Sequence, residues 1–159
     1  MEVPMKLTKL QKLVAVYERF GAEIEAIPDP WAQKLHRNSV DTGSWVAGLL
    51  AKDSAPRPSE IASGLEQGLR EMPDIIAAVG AQCRPAVAKA FNSAISTEYP
   101  EFQSRDEKRL DKVLTRGKIR TESEFYLVRY RVDALEGDPQ FEALLRKLYG
   151  LLGAYELRA

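Results

Sequence analysis

Apolar residues recur at spacings of three and four along most of the chain, which is the spacing of one face of an α-helix. The first such segment predicts a helix over 8–26. Its stripe consists of Leu10, Leu13, Tyr17, Phe20 and Ile24, widened by Val14. The Asp29–Pro30 pair that follows is typical of an N-cap and first helical turn, so it predicts a second, short helix.

Turn-forming residues divide the first half of the chain. Residues 36–44, HRNSVDTGS, are predicted to form a loop, and residues 44–51, SWVAGLLA, a short buried helix. Two prolines make residues 52–59 a connector. We predict a single all-α domain over 1–159, with an optional N-terminal subdomain, 1–53, joined through 53–59 to a helical body, 59–159.

The middle of the chain is apolar on more than one side. Helical spacing resumes with Ile61, Leu65, Leu69 and Met72. Residues 72–102 are rich in alanine and carry little polar surface, so we expect this part to lie centrally among the helices. Pro85 is expected to start a new helix or to kink the existing one.

Helix-end signals are densest in the last third. Ser104 with Glu107, and Thr121 with Glu124, have the spacing of capping boxes. Gly117 is expected to end the intervening helix in the left-handed conformation, and Gly137 to end the next one. The last helix is predicted to begin at Asp138–Pro139 and to bury Phe141, Leu145, Leu148, Leu152 and Tyr155.

One segment, 124–132, also has the composition and alternation of a β-strand. The capping signals on either side and the lack of a comparable partner strand favour a helix there. The predicted fold is therefore all-α: a compact helical bundle of six to eight helices, ending in an antiparallel three-helix unit.

Composition excludes several classes of protein. Of 159 residues, 45% are apolar and 29% charged, which is typical of a globular chain. With 23 basic and 23 acidic residues the net charge is zero, which disfavours nucleic-acid binding through overall charge. The sequence has one cysteine, no apolar run typical of a signal peptide and none long enough to span a membrane. We expect a soluble, cytoplasmic protein that does not bind membranes.

No catalytic signature is found. The single histidine, His36, lacks the sequence context of a triad, and Cys83 lies among apolar neighbours, where an inert buried thiol is expected. Asp106, Glu107 and Asp111 do not share one helix face and alternate with basic residues, which indicates a solvated helix with ion pairs. We therefore predict no metal and no cofactor, and incline against an enzyme.

A basic cluster is the feature that most suggests binding. Between Arg105 and Arg131 nine basic residues face five acidic ones, an excess of four positive charges. The cluster's simplest interpretation is a solvated charged face. As a binding site, the candidate residues are Arg116, Lys118, Arg120, Tyr126, Arg129 and Tyr130. Tyrosine beside arginine suits a protein interface better than a plain solvated surface.

Three functions stay open at this point. The leading hypothesis is a non-enzymatic protein that acts through protein–protein interaction, as a regulator, an adaptor or a homo-oligomer. The alternative is nucleic-acid binding through the basic turn Arg116–Arg120, which the carboxylates of Glu122 and Glu124 disfavour. A second alternative is a small-molecule or enzymatic site in the N-terminal helices; its residues would be Trp31, His36, Asp41 and Trp45.

Overall fold

The computed structural model describes residues 7–158, apart from the side chain of residue 104. The first six residues, on which part of the signal-peptide expectation rests, lie outside this range. Within it the chain is all-helical, which confirms the predicted bundle of six to eight helices. The helices are α1 (Lys9–Glu23), α2 (Pro30–Val40), α3 (Thr42–Leu50), α4 (Pro58–Ile76), α5 (Arg84–Glu98), α6 (Gln103–Arg116), α7 (Glu122–Leu135) and α8 (Glu142–Glu156). None of the helices in the described range is long and apolar enough to cross a membrane.

The first three helices follow one another with short breaks. Asp29 caps α2 as predicted, accepting a hydrogen bond from the backbone N–H of Ala32 at 2.9 Å. The predicted loop over 36–44 is wrong, because α2 continues to Val40 and α3 begins at Thr42. The Thr42 hydroxyl donates to the carbonyl of Ser39 at 2.8 Å, so these turn-forming residues join two helices instead of forming a loop.

The central helices agree more closely with the sequence. The connector over 52–59 is confirmed up to Pro58, which opens α4, and Pro85 lies in the first turn of α5. Helix α5 is central, as expected: it contacts α1, α4 and α7, and it buries Val87, Ala88, Ala90, Phe91, Ala94 and Ile95.

The cap predicted at Ser104 is wrong. A short 3-10 helix, Pro100–Phe102, leads directly into α6, so Phe102 occupies the N-cap position and no side chain caps the helix. Pro100 has already set the helical direction before residue 104, whose side chain lies outside the described residues. The motif therefore does not mark the start of α6, because the helix begins upstream of it, at Gln103.

The three C-terminal helices contact one another in sequence order, as predicted. Gly117, at φ 80°, ends α6 in the left-handed conformation that favours glycine. Residues 124–132 are helical, which excludes the strand alternative. The predicted start of the last helix is a 3-10 turn, Pro139–Phe141, capped by Asp138 and followed by α8.

Two hydrophobic clusters hold the described helices together. The first draws on α1 to α5 and the second on α6 to α8. The first contains both Leu13 and Ile61, so it includes residues from both sides of the connector; the optional subdomain boundary stays a prediction. Tyr130 of α7 also belongs to the first cluster and packs edge-on against Phe91.

A buried carboxylate ties α1, α4 and α6 together. The Glu66 side chain is 4% exposed, and its oxygens lie 2.5 Å from Lys9 Nζ, 2.9 Å from Arg70 Nη2 and 2.8 Å from Arg105 Nη1. Burial raises the pKa of Glu66, but the cations of Lys9, Arg105 and Arg70 outweigh burial and bring it below the ordinary value of 4.5. The ion-pair cluster is therefore fully charged at neutral pH.

Replacing this carboxylate tests how much the ion-pair cluster contributes. Glu66→Gln is expected to lower the free energy of unfolding at pH 7 by about 2 kcal/mol. This is less than for a fully buried pair, because the three cations are partly exposed. A carboxyl with a lowered pKa stabilises the fold above its unfolded-state pKa and loses that effect as pH falls through its folded-state pKa. The difference between parent and variant in urea unfolding should therefore shrink below about pH 4.

The matched control is Glu71→Gln on the same helix, whose side chain accepts a hydrogen bond from the exposed Gln67. Its effect should stay within about 0.5 kcal/mol. Equal effects of the two variants at pH 7 would contradict the special role of Glu66.

Candidate functional sites

The basic turn between α6 and α7 is partly neutralised inside the molecule. Arg116 donates two hydrogen bonds to Glu124, from Nη1 to Oε1 at 2.8 Å and from Nη2 to Oε2 at 3.1 Å. Both side chains are half-buried, and the two parallel hydrogen bonds make this pair stronger than an ordinary surface ion pair. Arg116 is therefore held by Glu124 rather than presented to a ligand.

Glu124 also completes the start of α7. Its backbone N–H donates to Thr121 Oγ1 at 3.1 Å, which confirms half of the predicted capping box. The other half differs, since the Glu124 carboxylate accepts from the N–H of Arg120 at 2.8 Å, one residue upstream of the N-cap. The hydrogen bonds from Arg116 hold the pKa of Glu124 below its usual range, with the backbone N–H groups of Arg120 and Thr121 contributing and partial burial opposing.

The rest of the turn keeps two cations available. Lys118 and Arg120 are exposed, and neither side chain forms an ion pair with another described residue. Ile119 between them is 1% exposed and belongs to the second cluster. The turn therefore has two exposed positive charges, one on either side of the buried Ile119, and not the three that the sequence suggested.

The predicted tyrosine and arginine side chains do not form one surface. Tyr130 is 4% exposed and lies in the core, so the expectation that it stands on the surface beside Arg129 is wrong. Arg129 donates to the carbonyl of Ala77 at 3.1 Å, and its guanidinium lies 5.5 Å from the centre of the Tyr126 ring. The Tyr126 hydroxyl bonds to Glu122. Arg129 and Tyr126 are therefore together, as predicted, but their polar groups are already engaged within the chain.

The N-terminal candidates separate into two groups. His36 Nδ1 lies 2.7 Å from the carbonyl of Gly21, so this nitrogen donates and the ring links α2 to α1. Trp31 is 46% exposed beside Lys34. Asp41 and Trp45 instead share a groove of about 450 Å³. Its other walls are Tyr17, Asn38, Thr42 and Leu65.

Helix α3 presents exposed apolar side chains. We call the surface formed by Trp45, Leu50 and the grooves beside them the α3 face. Of its residues only Thr42 and Val46 are buried, so the expectation of a buried helix is wrong. Trp45 is 57% exposed and Leu50 42%. A second groove of about 280 Å³ runs on the other side of the helix; it is lined by Leu10, Gln11, Val14, Gly43, Val46, Ala47 and Leu50. The sequence signal that identifies this face is the lack of any charge from Thr42 to Ala51.

Of the three α6 carboxylates predicted to form a solvated row, Glu107 and Asp111 are exposed as expected, whereas Asp106 is not. Asp106 is 6% exposed, and burial raises its pKa against the opposing charges of Arg109, Arg131 and Arg70. Among the described residues no group of three or more His, Cys, Asp or Glu side chains could hold a metal ion. Cys83 is half-buried at the edge of the first cluster, less enclosed than expected.

No known family model, curated protein or solved structure matches this chain. The class of protein is therefore inferred from the structure alone. The described residues form an all-helical protein with exposed apolar side chains on α3, while its basic turn is partly neutralised by an internal ion pair.

The Arg116–Glu124 pair can be tested by removing its charge. Glu124→Gln is expected to lower the free energy of unfolding by about 1 kcal/mol, because it breaks a bidentate, half-buried pair and weakens a helix start. Chemical denaturation at neutral pH measures this loss. The control is Glu142→Gln in the first turn of α8, whose bond to Arg146 is exposed and should contribute less than about 0.5 kcal/mol. Similar losses in both variants would contradict the assignment.

Proposed function

We propose that this protein acts by binding another protein, and that the α3 face is its contact surface. The observation that carries the proposal is the exposure of Trp45 and Leu50 on a helix that has no charged residue. Large apolar side chains that are exposed beside grooves are typical of interaction sites. Tryptophan is among the residues most often found at the energetic centres of interfaces.

The grooves on both sides of α3 support this proposal. Trp45 stands at the edge of the groove with Tyr17 and Leu65, while Leu50 lines the groove with Leu10 and Val14. A partner side chain entering either groove would bury apolar surface on two helices at once. The proposal keeps protein–protein interaction as the function but moves its surface from the basic turn to the N-terminal helices.

Nucleic-acid binding stays an alternative prediction, now limited to Lys118 and Arg120. Because Arg116 is paired with Glu124, the turn has less free positive charge than the sequence suggested. A mobility-shift series with duplex and single-stranded oligonucleotides at increasing salt tests this alternative. A shift at low salt that disappears in a Lys118→Gln/Arg120→Gln variant would favour it over the α3 face.

The α3 face is tested by comparing two exposed tryptophans. Trp45→Ser is expected to abolish binding to the partner, while Trp31→Ser on the neighbouring α2 leaves binding unchanged. Both side chains are partly buried, so each change should cost a similar 1–2 kcal/mol or so of stability, which urea unfolding checks. The parent and both variants are used as baits in parallel, and sedimentation velocity over a concentration series tests self-association.

A protein retained by the parent and by Trp31→Ser but not by Trp45→Ser is then purified, and its binding is measured with the two isolated components. Self-association lost only in Trp45→Ser would identify a second copy as the partner. Loss of binding in both variants would point to a stability effect. A monomeric parent for which no retained protein distinguishes the two variants would overturn the proposal.

A further inference from the structure

A third groove lies in the C-terminal half, away from the α3 face. It follows one side of α6 from Gln103 to Leu114, through Glu107, Leu110 and Asp111. At 1.5 Å per residue this side is about 16 Å long. Helices α5 and α7 and the start of α8 complete its walls, and its volume is about 490 Å³. We call it the α6 groove.

The α6 groove combines an apolar floor with acidic edges. Leu114, Phe141 and Leu144 are half-buried and partly accessible along it. Its carboxylates are Glu107 and Asp111, one helical turn apart, and Asp138 at the start of the last 3-10 turn. Such a floor with charged edges matches the two faces of an amphipathic helix.

The carboxylates of this groove lack internal cations. Glu107 and Asp111 form no ion pair with any described residue, and Asp138 accepts only the N–H of Gln140. The one basic side chain in the wall is Arg131, so three carboxylates face one guanidinium group. The lining of the groove therefore carries an excess of negative charge.

We propose that the α6 groove binds a basic amphipathic helix of a partner protein. The partner's apolar side chains would lie on the apolar floor, and its lysine or arginine side chains beside Glu107, Asp111 and Asp138. The length of the groove along α6 suits an extended helical segment better than a compact small molecule. The unpaired carboxylates determine the sign of the partner's charge. This site shares no residue with the α3 face, so it does not depend on the function proposed above.

Fluorescence anisotropy with a labelled probe peptide tests this inference. The probe is a helical peptide about 12 residues long, with leucine at positions i, i+3, i+4 and i+7 and lysine elsewhere, matched in length to the groove. A scrambled peptide of the same composition controls for plain charge attraction. Glu107→Gln/Asp111→Asn is expected to weaken binding about tenfold at low salt, since two charges at the edge are lost.

The matched variant is Glu25→Gln/Asp53→Asn, which removes two exposed carboxylates that line none of the three grooves. It should leave the affinity for the probe within about twofold. Leu144→Ser tests the floor and should also weaken binding. Backbone amide shifts in the parent, recorded as the probe is added, should concentrate in α6 and α7; this keeps the test valid if Leu144→Ser is unstable.

Equal binding of the scrambled peptide, equal affinities of the two carboxylate variants, or no binding at low salt would each overturn the proposal. Sedimentation velocity adds one more outcome. If the parent self-associates and Glu107→Gln/Asp111→Asn makes it monomeric, a second copy occupies the groove and the proposed partner is wrong.

Discussion

Helix α7 contributes buried side chains to both hydrophobic clusters. The arrangement of the other helices depends on this double contribution. Val128, Val132 and Leu135 lie in the cluster with α6 and α8, whereas Tyr130 lies in the cluster with α1 to α5. The Tyr130 ring packs edge-on against Phe91 at 5.8 Å, and Phe91 against Phe20 at 5.3 Å. This chain of rings joins the N-terminal and C-terminal helices through the middle of the molecule. Burial raises the pKa of Tyr130, so its hydroxyl stays protonated.

Side-chain hydrogen bonds fix both ends of α7. At its start, Thr121 and Glu124 satisfy free N–H groups, and the negative charge of Glu124 is favourable there. At its end, Lys89 of α5 donates to three carbonyls, those of Asp133 at 3.1 Å, Ala134 at 3.3 Å and Glu136 at 2.6 Å. The ammonium group thus adds to a local cap, since Gly137 follows the helix with the left-handed φ of 88°. A helix held in this way cannot shift along its axis without losing contacts in both clusters.

The two-sided burial of α7 explains what the sequence could and could not predict. Local signals located helix ends correctly where one residue decides them, as at Asp29 and Gly117. Apolar residues lie on two faces of α7, and they produced the strand-like alternation over 124–132. For the same reason the sequence did not show that the side chain of Tyr130 is buried. In a single sequence, periodicity identifies an apolar face but not whether a neighbour covers it.

The same limit explains the sites. Trp45 was expected to be buried because α3 is apolar, yet no described helix covers it. Arg116 was counted as free because its partner, Glu124, lies across the turn, eight residues away, where the sequence shows only two opposite charges among many. Glu107 and Asp111 are exposed, as predicted, but the sequence did not show that the fold sets them beside an apolar floor. Packing between helices decides each of these cases.

Internal pairing also determines which surfaces remain for binding. Basic side chains that sequence counts treat as free are engaged within the fold: Arg84 with Asp133 at 2.7 Å, Arg105 with Glu66, and Arg116 with Glu124. A net charge of zero therefore conceals an uneven surface, in which some acids have partners and others do not. The groups left without internal partners belong to different clusters, Trp45 beside the first and Glu107 with Asp111 beside the second. Because α7 joins the two clusters rigidly, a protein bound at the α3 face and a basic helix bound in the α6 groove would be held in a fixed relative orientation.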